Sequence, residues 1–296
     1  MESHLPNSKF ARTLGKFAFP TMIEVPITLT IAGSDTSSGA GLQADLKTFQ
    51  YFGCHGLNAV TCVVAETSSE VRSIHPLPPS GLRDQVDLML GRYPVRAAKT
   101  GMLYSREHVM TVAEALADYP DLMLVIDPVM IASTGDPLIQ QEAIDAYREH
   151  LIPRATLITP NLDEAAVLAD CPRDALREEA DLERVAATLH DRFRVAVLVK
   201  GGHLEGPECV DLLVTDDGTQ WYRSPRQADV ASHGTGCTLS AAITAALAHG
   251  LTMTDAVAQA KTFLDHALAR SLQLGSLTAL NHGTDPDFAA LPALDG

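Results

Sequence analysis

The stretch His233-Gly-Thr-Gly-Cys237 runs directly into an apolar helical pattern. Leu239, Ala242 and Ile243 fall on one helix face, which places both glycines at the helix N-terminus. Free N–H groups and the positive end of the helix dipole bind anions there, and glycine lets the backbone approach them closely. This turn favours binding of phosphate or of a developing oxyanion. The alternative interpretation is a flexible loop before a helix, which could have the same sequence.

Cys237 occupies the first turn of that predicted helix. The helix dipole favours a thiolate at this place over a free thiol, so Cys237 could serve as a base or a nucleophile. A single cysteine before an apolar helix is also a common small packing residue. Both interpretations stay open on the sequence alone.

A carboxylate interrupts the apolar stripe of another predicted helix. Leu42, Asp45, Leu46 and Phe49 recur at helical spacing, so Asp45 shares the apolar face. Ionised groups are rarely buried without a partner. Either a neighbouring lysine or arginine satisfies Asp45, or it faces a crevice and binds a ligand, and we favour the ligand.

The segment Asn161-Leu-Asp-Glu164 opens a third helix directly after a strand. Asn161 is a good N-cap, and an acid three residues later completes a capping box. Glu164 could in addition help to hold a hydrated Mg²⁺, which prefers oxygen ligands. The chain contains no G-x-x-x-x-G-K-[ST] loop, so a bound nucleoside triphosphate would not use a P-loop.

A loose dinucleotide pattern, G-x-G-x-x-A, is formed by Gly39, Gly41 and Ala44, with Glu66 ending the next strand. It supports an NAD-dependent oxidoreductase as an alternative. A polar loop of residues 33–38 separates the first strand from these glycines, whereas the dinucleotide fold has a tight turn there. We therefore expect the match to be accidental.

Short β-branched runs alternate with helical patterns from Ile27 onward, as in a doubly wound α/β sheet. Polar residues follow each run and should meet at the carboxyl rim of the sheet, where such folds bind ligands. After them, a hairpin is expected around Asp217-Gly218. The predicted strands span 27–32, 58–65, 96–100, 122–127, 155–159 and 195–200; the predicted helices span 40–52, 80–92, 105–118, 138–150, 161–169, 180–192, 235–249 and 253–272.

The composition narrows the function classes. The chain has 296 residues and a formal net charge of −15, so binding to nucleic acid or to anionic lipid is disfavoured. Its longest apolar runs fall short of the roughly 20 residues of a spanning helix. We predict that residues 1–26 form a flexible leader and that residues 27–296 form a single domain. Five cysteines without C-x-x-C spacing favour a reducing cytoplasm.

Several longer motifs stand in a fixed order along the chain: TIAGSD and GLQADLKTF, then KTGML, DPVM with GDPL, LITPNLDEA, VKGGH and HGTGCTLSAA. Together they resemble the hydroxymethylpyrimidine and phosphomethylpyrimidine kinases of thiamine synthesis, which belong to the ribokinase-like superfamily. The resemblance implies a three-layer α/β/α sandwich with a mostly parallel central sheet. It also implies a homodimer that uses ATP and Mg²⁺ to phosphorylate a pyrimidine alcohol and then its monophosphate.

The same resemblance assigns roles to particular residues. Gly234, Thr235 and Gly236 would form the anion hole, with Thr235 also touching the nucleotide, and Cys237 would accept the proton of the substrate hydroxyl. The remaining assignments complete the site: Asp45, Gly33 and Met102 at the pyrimidine, Asn161 and Lys200 at the nucleotide, and Asp127 and Glu164 at the metal. Phosphoryl transfer needs positioning and charge neutralisation more than covalent chemistry, which suits this set.

One residue departs from the family pattern. The family usually has Gln where this chain has Glu66, in Val64-Ala65-Glu66-Thr67. A carboxamide both donates and accepts hydrogen bonds, whereas an ionised Glu66 only accepts them. Glu66 therefore suits a protonated aminopyrimidine or a ligand with more donors. Pyridoxine kinases of the same branch are the principal alternative, and a non-catalytic pyrimidine-binding regulator is a third class.

Overall fold

The computed structural model describes residues 24–130, 139, 141–202, 204–227 and 233–283. Most of the predicted leader lies outside these ranges, as do His203 and the GDPL segment at 135–138. In the described part, strands and helices alternate as the sequence predicts, and their order is that of an α/β sandwich.

The central sheet has nine strands in the order β3-β2-β1-β4-β5-β6-β7-β8-β9. Six strands that follow one another in this order, β2, β1, β4, β5, β6 and β7, are parallel. Strands β3, β8 and β9 are antiparallel to their neighbours. The mostly parallel sheet is confirmed. The strands are β1 (Ile27–Asp35), β2 (His55–Thr67), β3 (Glu70–Pro76), β4 (Val95–Thr100), β5 (Met123–Ile126), β6 (Leu157–Ile158), β7 (Ala196–Lys200), β8 (Glu208–Thr215) and β9 (Gly218–Pro225).

Eight α-helices cover the two faces of the sheet within the described residues. One face carries α1, α7 and α8, and the other carries α2 to α6. Because apolar side chains fill both sides of the sheet, the architecture is a three-layer sandwich. The helices are α1 (Gly41–Tyr51), α2 (Pro79–Arg92), α3 (Arg106–Ala115), α4 (Gln141–Ala146), α5 (Leu162–Ala169), α6 (Glu179–Phe193), α7 (Thr235–Ala248) and α8 (Met253–Ala269).

The predicted elements differ from the structure in three notable places. The helix predicted over 138–150 is α4 followed by a π-helical turn, Tyr147–Leu151. The last helix ends at Ala269 rather than 272, and a small hairpin follows, β10 (Leu272–Leu274) and β11 (Leu277–Ala279). Strand β3 was not predicted, because its alternating polar residues sit at the sheet edge, half exposed. The hairpin of β8 and β9 is confirmed.

Helix α7 is buried along almost its whole length, from Thr238 to Ala248. It packs against β4 and β5 of the sheet and also against α1 and α8. Its many alanines allow this close approach from several sides, since they fill little volume and favour the helix. The start of α7 is thereby fixed at the carboxyl rim. No helix in the described ranges is both long and apolar enough to cross a membrane.

Candidate active site

The first turn of α7 is built against the loop that follows β1. Gly234 is the N-cap and has a φ of +83°. A Cβ at Gly234 would lie 1.9 Å from the carbonyl oxygen of Gly39, so only glycine fits here. The positive end of α7 is therefore locked beside the loop, with its first N–H groups at the rim.

Two opposite charges lie under this turn. Lys200 ends β7, and its Nζ would be 3.1 Å from a Cβ at Gly236. It donates to Asp127 Oδ1 at 2.9 Å, while Ser240 of α7 donates to the other oxygen at 3.1 Å. Burial raises the pKa of Asp127, but Lys200 and Lys99 outweigh it and hold the pKa below its usual value. The pair is ionised and ties β7 to α7.

Glu164 is positioned by the predicted capping box. Its backbone N–H donates to the Asn161 side chain at 2.9 Å, and its Oε2 accepts from the Asn161 N–H at 2.8 Å. Burial raises the pKa of Glu164 to about 7, with Lys200 opposing and Asp127 adding to the shift. Lys200 forms its ion pair with Asp127 instead, so Glu164 lies buried beside a cation that it does not contact closely.

A hydrated Mg²⁺ fits beside Glu164. From the described residues, Oε1 of this carboxylate accepts one long hydrogen bond, 3.4 Å from the N–H of Met130, which leaves acceptor capacity for metal-bound water. Asp127 fits less well as a direct ligand, because its oxygens are taken by Lys200 and Ser240. The charge of Asp127 acts on Glu164, so these two carboxylates are neighbours in the site.

Asp45 requires a correction. It is fully buried and pairs with Lys99 of β4 at 2.7 Å, and Thr30 of β1 donates to its other oxygen at 2.6 Å. Our expectation that it faces the crevice is wrong, because the lysine partner that we weighed as the alternative is present. Desolvation favours neutral forms, yet the attraction of Asp45 raises the pKa of Lys99 above its ordinary value.

Cys237 also differs from expectation. Burial raises the pKa of its thiol to about 11, and the nearby carboxylates Asp45 and Asp127 add to the effect. Lys99 and a hydrogen bond from the Gly41 N–H oppose it. Burial therefore opposes the expected preference for the thiolate, and the thiol is the favoured form in the resting protein.

A second part of the rim gathers the residues assigned to the pyrimidine. A Cβ at Gly33 would lie 2.9 Å from the sulfur of Cys62 and 3.8 Å from that of Met102. Thr61 donates to the Met102 carbonyl at 2.7 Å, which fixes the loop after β4. Glu66 ends β2 on the same side, half-buried. Gly33 and Cys62 are buried here, whereas Met102 and Glu66 are partly exposed.

Sequence reasoning missed Asp35 and His233 as site residues. Asp35 ends β1, and its carboxylate accepts from His233 Nε2 at 3.1 Å. The side-chain atoms of Asp35, Glu66 and His233 all lie within 4.8 Å of one another. The motifs TIAGSD and HGTGC contain both residues, but 198 positions separate them and only the fold joins them.

The structure thus brings the predicted residues to one rim in two groups. Gly234, Thr235, Gly236 and Cys237 lie with Lys200 and Asp127, and the capping box of Asn161 and Glu164 adjoins them. Gly33, Met102 and Glu66 lie on the other side of the loop. Asp45 lies beneath, where its charge reaches Cys237 without contact with the crevice. The close contact of Gly39 with Gly234 lies between the two groups and holds the loop after β1 against the start of α7.

A family profile described as phosphomethylpyrimidine kinase matches residues 35–282. The chain belongs to this family. A hydroxymethylpyrimidine/phosphomethylpyrimidine kinase of Streptomyces coelicolor is 42% identical, covering 87% of this chain and 94% of the relative. The Escherichia coli protein of the same description is 40% identical, covering 87% and 95%. The chain is therefore a member of a kinase family, and the dinucleotide interpretation of Gly39, Gly41 and Ala44 is wrong.

Solved structures agree on the fold. The pyridoxal kinase of Bacillus subtilis in an ADP complex has a TM-score of 0.81 at 34% identity, covering 88% of this chain and 98% of that one. The phosphomethylpyrimidine kinase of Clostridium difficile has a TM-score of 0.72 at 38% identity, covering 82% and 99%. The sandwich is thus shared by kinases of two vitamin precursors.

Proposed function

We propose that this protein transfers the terminal phosphoryl group of ATP to 4-amino-5-hydroxymethyl-2-methylpyrimidine and then to its monophosphate, in thiamine biosynthesis. The observation that carries the proposal is the first turn of α7, where the helix N-terminus, Lys200 and Cys237 adjoin one another at the rim. Relatives at 40–42% identity are named as kinases of this pyrimidine and its phosphate.

Each part of the turn has a task in phosphoryl transfer. The N–H groups at Gly234 to Gly236 and the helix dipole stabilise negative charge on the phosphoryl oxygens as it moves. Lys200 adds a fixed positive charge, which Asp127 and Ser240 hold in place. Glu164 would hold Mg²⁺ through water, and Asn161 would position that carboxylate. The bound metal would neutralise charge on the nucleotide phosphates.

Cys237 would contact the substrate hydroxyl. Its thiol is protonated at neutral pH, so it does not remove the proton before the reaction begins. The transition state of phosphoryl transfer is loose in most analyses, and the attacking hydroxyl then loses its proton late. Only the small thiolate fraction of Cys237, which Lys99 stabilises, can act as the base: its sulfur would take the proton of the hydroxyl as the hydroxyl oxygen bonds to phosphorus and the bond from phosphorus to ADP breaks.

Pyridoxal or pyridoxine is the second candidate substrate. The pyridoxal kinases of Bacillus subtilis and Staphylococcus aureus have TM-scores of 0.80–0.81 with this chain, and one of the latter is described in complex with AMP-PCP and pyridoxal. Both substrates are six-membered nitrogen heterocycles with a hydroxymethyl group, so the same phosphoryl site suits either. The sequence identity favours the pyrimidine.

The test is an assay of ADP formation by the purified protein with Mg-ATP and one alcohol at a time. We expect turnover with the pyrimidine and with its monophosphate, and little with pyridoxine. The variant Cys237→Ala, prepared in parallel, distinguishes this activity from that of a contaminating kinase. Turnover with pyridoxine alone would replace the substrate, and binding of the pyrimidine without turnover would indicate a regulator.

Three further properties belong to the same proposal: a homodimer, a cytoplasmic location, and small molecules rather than nucleic acid or membrane as partners. The five cysteines, all within the described ranges, are free thiols, which suits a reducing compartment. A net charge of −15 suits neither DNA nor anionic lipid. Sedimentation equilibrium on the full chain would give twice the mass of 31.6 kDa if the dimer forms.

A further inference from the structure

The carboxylate of Asp35 is fixed as an anion at the end of β1. One oxygen accepts from the backbone N–H of Ser37 at 2.6 Å, and the other from those of Gly39 and Ala40 at 3.0 and 2.7 Å. Burial pushes the pKa of Asp35 up, but these bonds and that from His233 lower it below its usual value. Only the ionised form can accept so many bonds. Oδ2 of Asp35 has four hydrogen-bond partners, and Nε2 of His233 is one of them, which disfavours a metal ion at this cluster.

Glu66 lies beside this fixed charge. The groups that face it come from three elements: Asp35 from β1, His233 from the turn before α7, and Cys62 from β2 itself. On the adjacent strand β3, Val71 stands opposite Glu66, while Glu70 and Arg72 pair with each other at 3.2 Å. Within the described ranges, His233 is the nearby cation, and it hydrogen-bonds to Asp35. Among the residues that the structure describes, Glu66 thus lies half-buried next to an anion and has no ion-pair partner of its own.

This environment favours a neutral carboxyl group. Burial is the larger cause and the charge of Asp35 the second, and together they raise the pKa of Glu66 to about 7, against a smaller opposing effect of His233. A protonated carboxyl group has one O–H donor and one C=O acceptor on the same carbon. It therefore offers the donor and acceptor pair that a carboxamide offers.

An aminopyrimidine presents the complementary edge, a ring nitrogen that accepts beside an exocyclic amine that donates. We propose that Glu66 binds this edge as a neutral carboxylic acid, donating to the ring nitrogen and accepting from the amine, with anionic Asp35 keeping it protonated. This rests on the proposed substrate. It makes Glu66 a specificity-determining residue that binds substrate best at low pH. An ionised Glu66 would face the lone pair of the ring nitrogen and repel it.

The sign of the pH dependence follows from the protonated form being the binding form. Substrate affinity is full below the pKa of about 7 and is lost as the pH rises through it. KM for the pyrimidine should rise by about tenfold per pH unit above that point. Glu66→Gln has the same donor and acceptor at every pH, so its KM should stay level over the same range.

The test measures KM and kcat for the pyrimidine alcohol from about pH 6 to pH 9 in the wild type, in Glu66→Gln and in Glu70→Gln. Glu70 is the matched control, because it is an exposed carboxylate on the adjacent strand. The proposal expects a KM that rises with pH in the wild type and in Glu70→Gln, and a level one in Glu66→Gln. A wild-type KM that stays level, or a slope that persists in Glu66→Gln, would overturn it.

An infrared difference spectrum locates the proton. Pyrimidine binding above the pKa should produce the C=O stretch of a protonated carboxyl group, and this band should be missing in Glu66→Gln. Carboxylate bands alone would show an ion pair with a protonated ring and overturn the proposal. If the protein turns over the pyrimidine without the KM slope, only this proposal fails. If it turns over no pyrimidine at any pH, the proposed function fails as well.

Discussion

The buried ion pair of Asp45 and Lys99 supports the floor of the site, and Lys99→Met would break it. Both side chains are 0% exposed, and their atoms are 2.7 Å apart. Removal of Lys99 leaves a buried carboxylate with only the Thr30 hydroxyl as a partner. Breaking such a pair costs about 3–5 kcal/mol. This raises the equilibrium constant for unfolding by a factor of roughly 10² to 10⁴.

Urea and thermal unfolding would measure the loss. For a domain of this size, the change corresponds to about 6–20 °C in Tm. Lys47→Met, at an exposed lysine of α1, is the control and should stay within about 0.5 kcal/mol of the wild type. The double variant Lys99→Met with Asp45→Asn should recover a large part of the loss, because it removes the unpaired charge along with the cation.

The pH dependence of Lys99→Met has a definite sign. Burial already raises the pKa of Asp45 above its ordinary value of 3.8 beside Lys99, and loss of the lysine, which opposes this shift, raises that pKa further in the folded protein. A folded state with the higher pKa binds the proton more tightly, so the deficit should shrink as the pH falls through that folded pKa. A Lys99→Met protein within about 1 kcal/mol of the wild type at neutral pH would refute the buried pair.

Four other variants and measurements test the site. Cys237→Ala should lower kcat by about 10² while Cys171→Ala leaves it unchanged; equal rates would make Cys237 a packing residue. Alkylation of the Cys237 thiol should be slow at neutral pH and accelerate toward its pKa of about 11; fast reaction at pH 7 would contradict its burial. Gly234→Ala should lower kcat at least tenfold, as its Cβ would displace Gly39; an unchanged rate would show a tolerant loop. Glu164→Gln should raise the Mg²⁺ concentration needed for half-maximal rate about tenfold. Glu149→Gln, at an exposed carboxylate, is the control. An unchanged dependence on Mg²⁺ would exclude Glu164 from the metal site.

Local patterns explain why most of the fold was predictable. Strands β1, β5 and β7 are mostly buried runs in the middle of the sheet, and their sequences are recognisable as apolar segments between helical patterns. Edge strand β3 and the short hairpin of β10 and β11 are mostly exposed, so their sequences carry no such apolar run. Helix α4 is followed by a π-helical turn that begins at Tyr147, and no pattern in the sequence predicts this change.

The site was predictable where one motif holds the whole feature. The capping box of Asn161 and Glu164 spans three positions and is present as expected. Asp45 could be recognised as a carboxylate on an apolar face, but its partner Lys99 is 54 residues away on another strand. The pKa of Cys237 depends on how deeply the fold buries it, and the contact of Asp35 with His233 joins opposite ends of the chain.

The most direct test of the account is a crystal structure with a non-hydrolysable ATP analogue and the pyrimidine alcohol bound together. We expect the terminal phosphate within hydrogen-bond distance of the N–H groups in the first turn of α7, and the substrate hydroxyl between that phosphate and the sulfur of Cys237. A terminal phosphate bound away from Gly234 to Gly236, with the pyrimidine remote from Cys237, would contradict it.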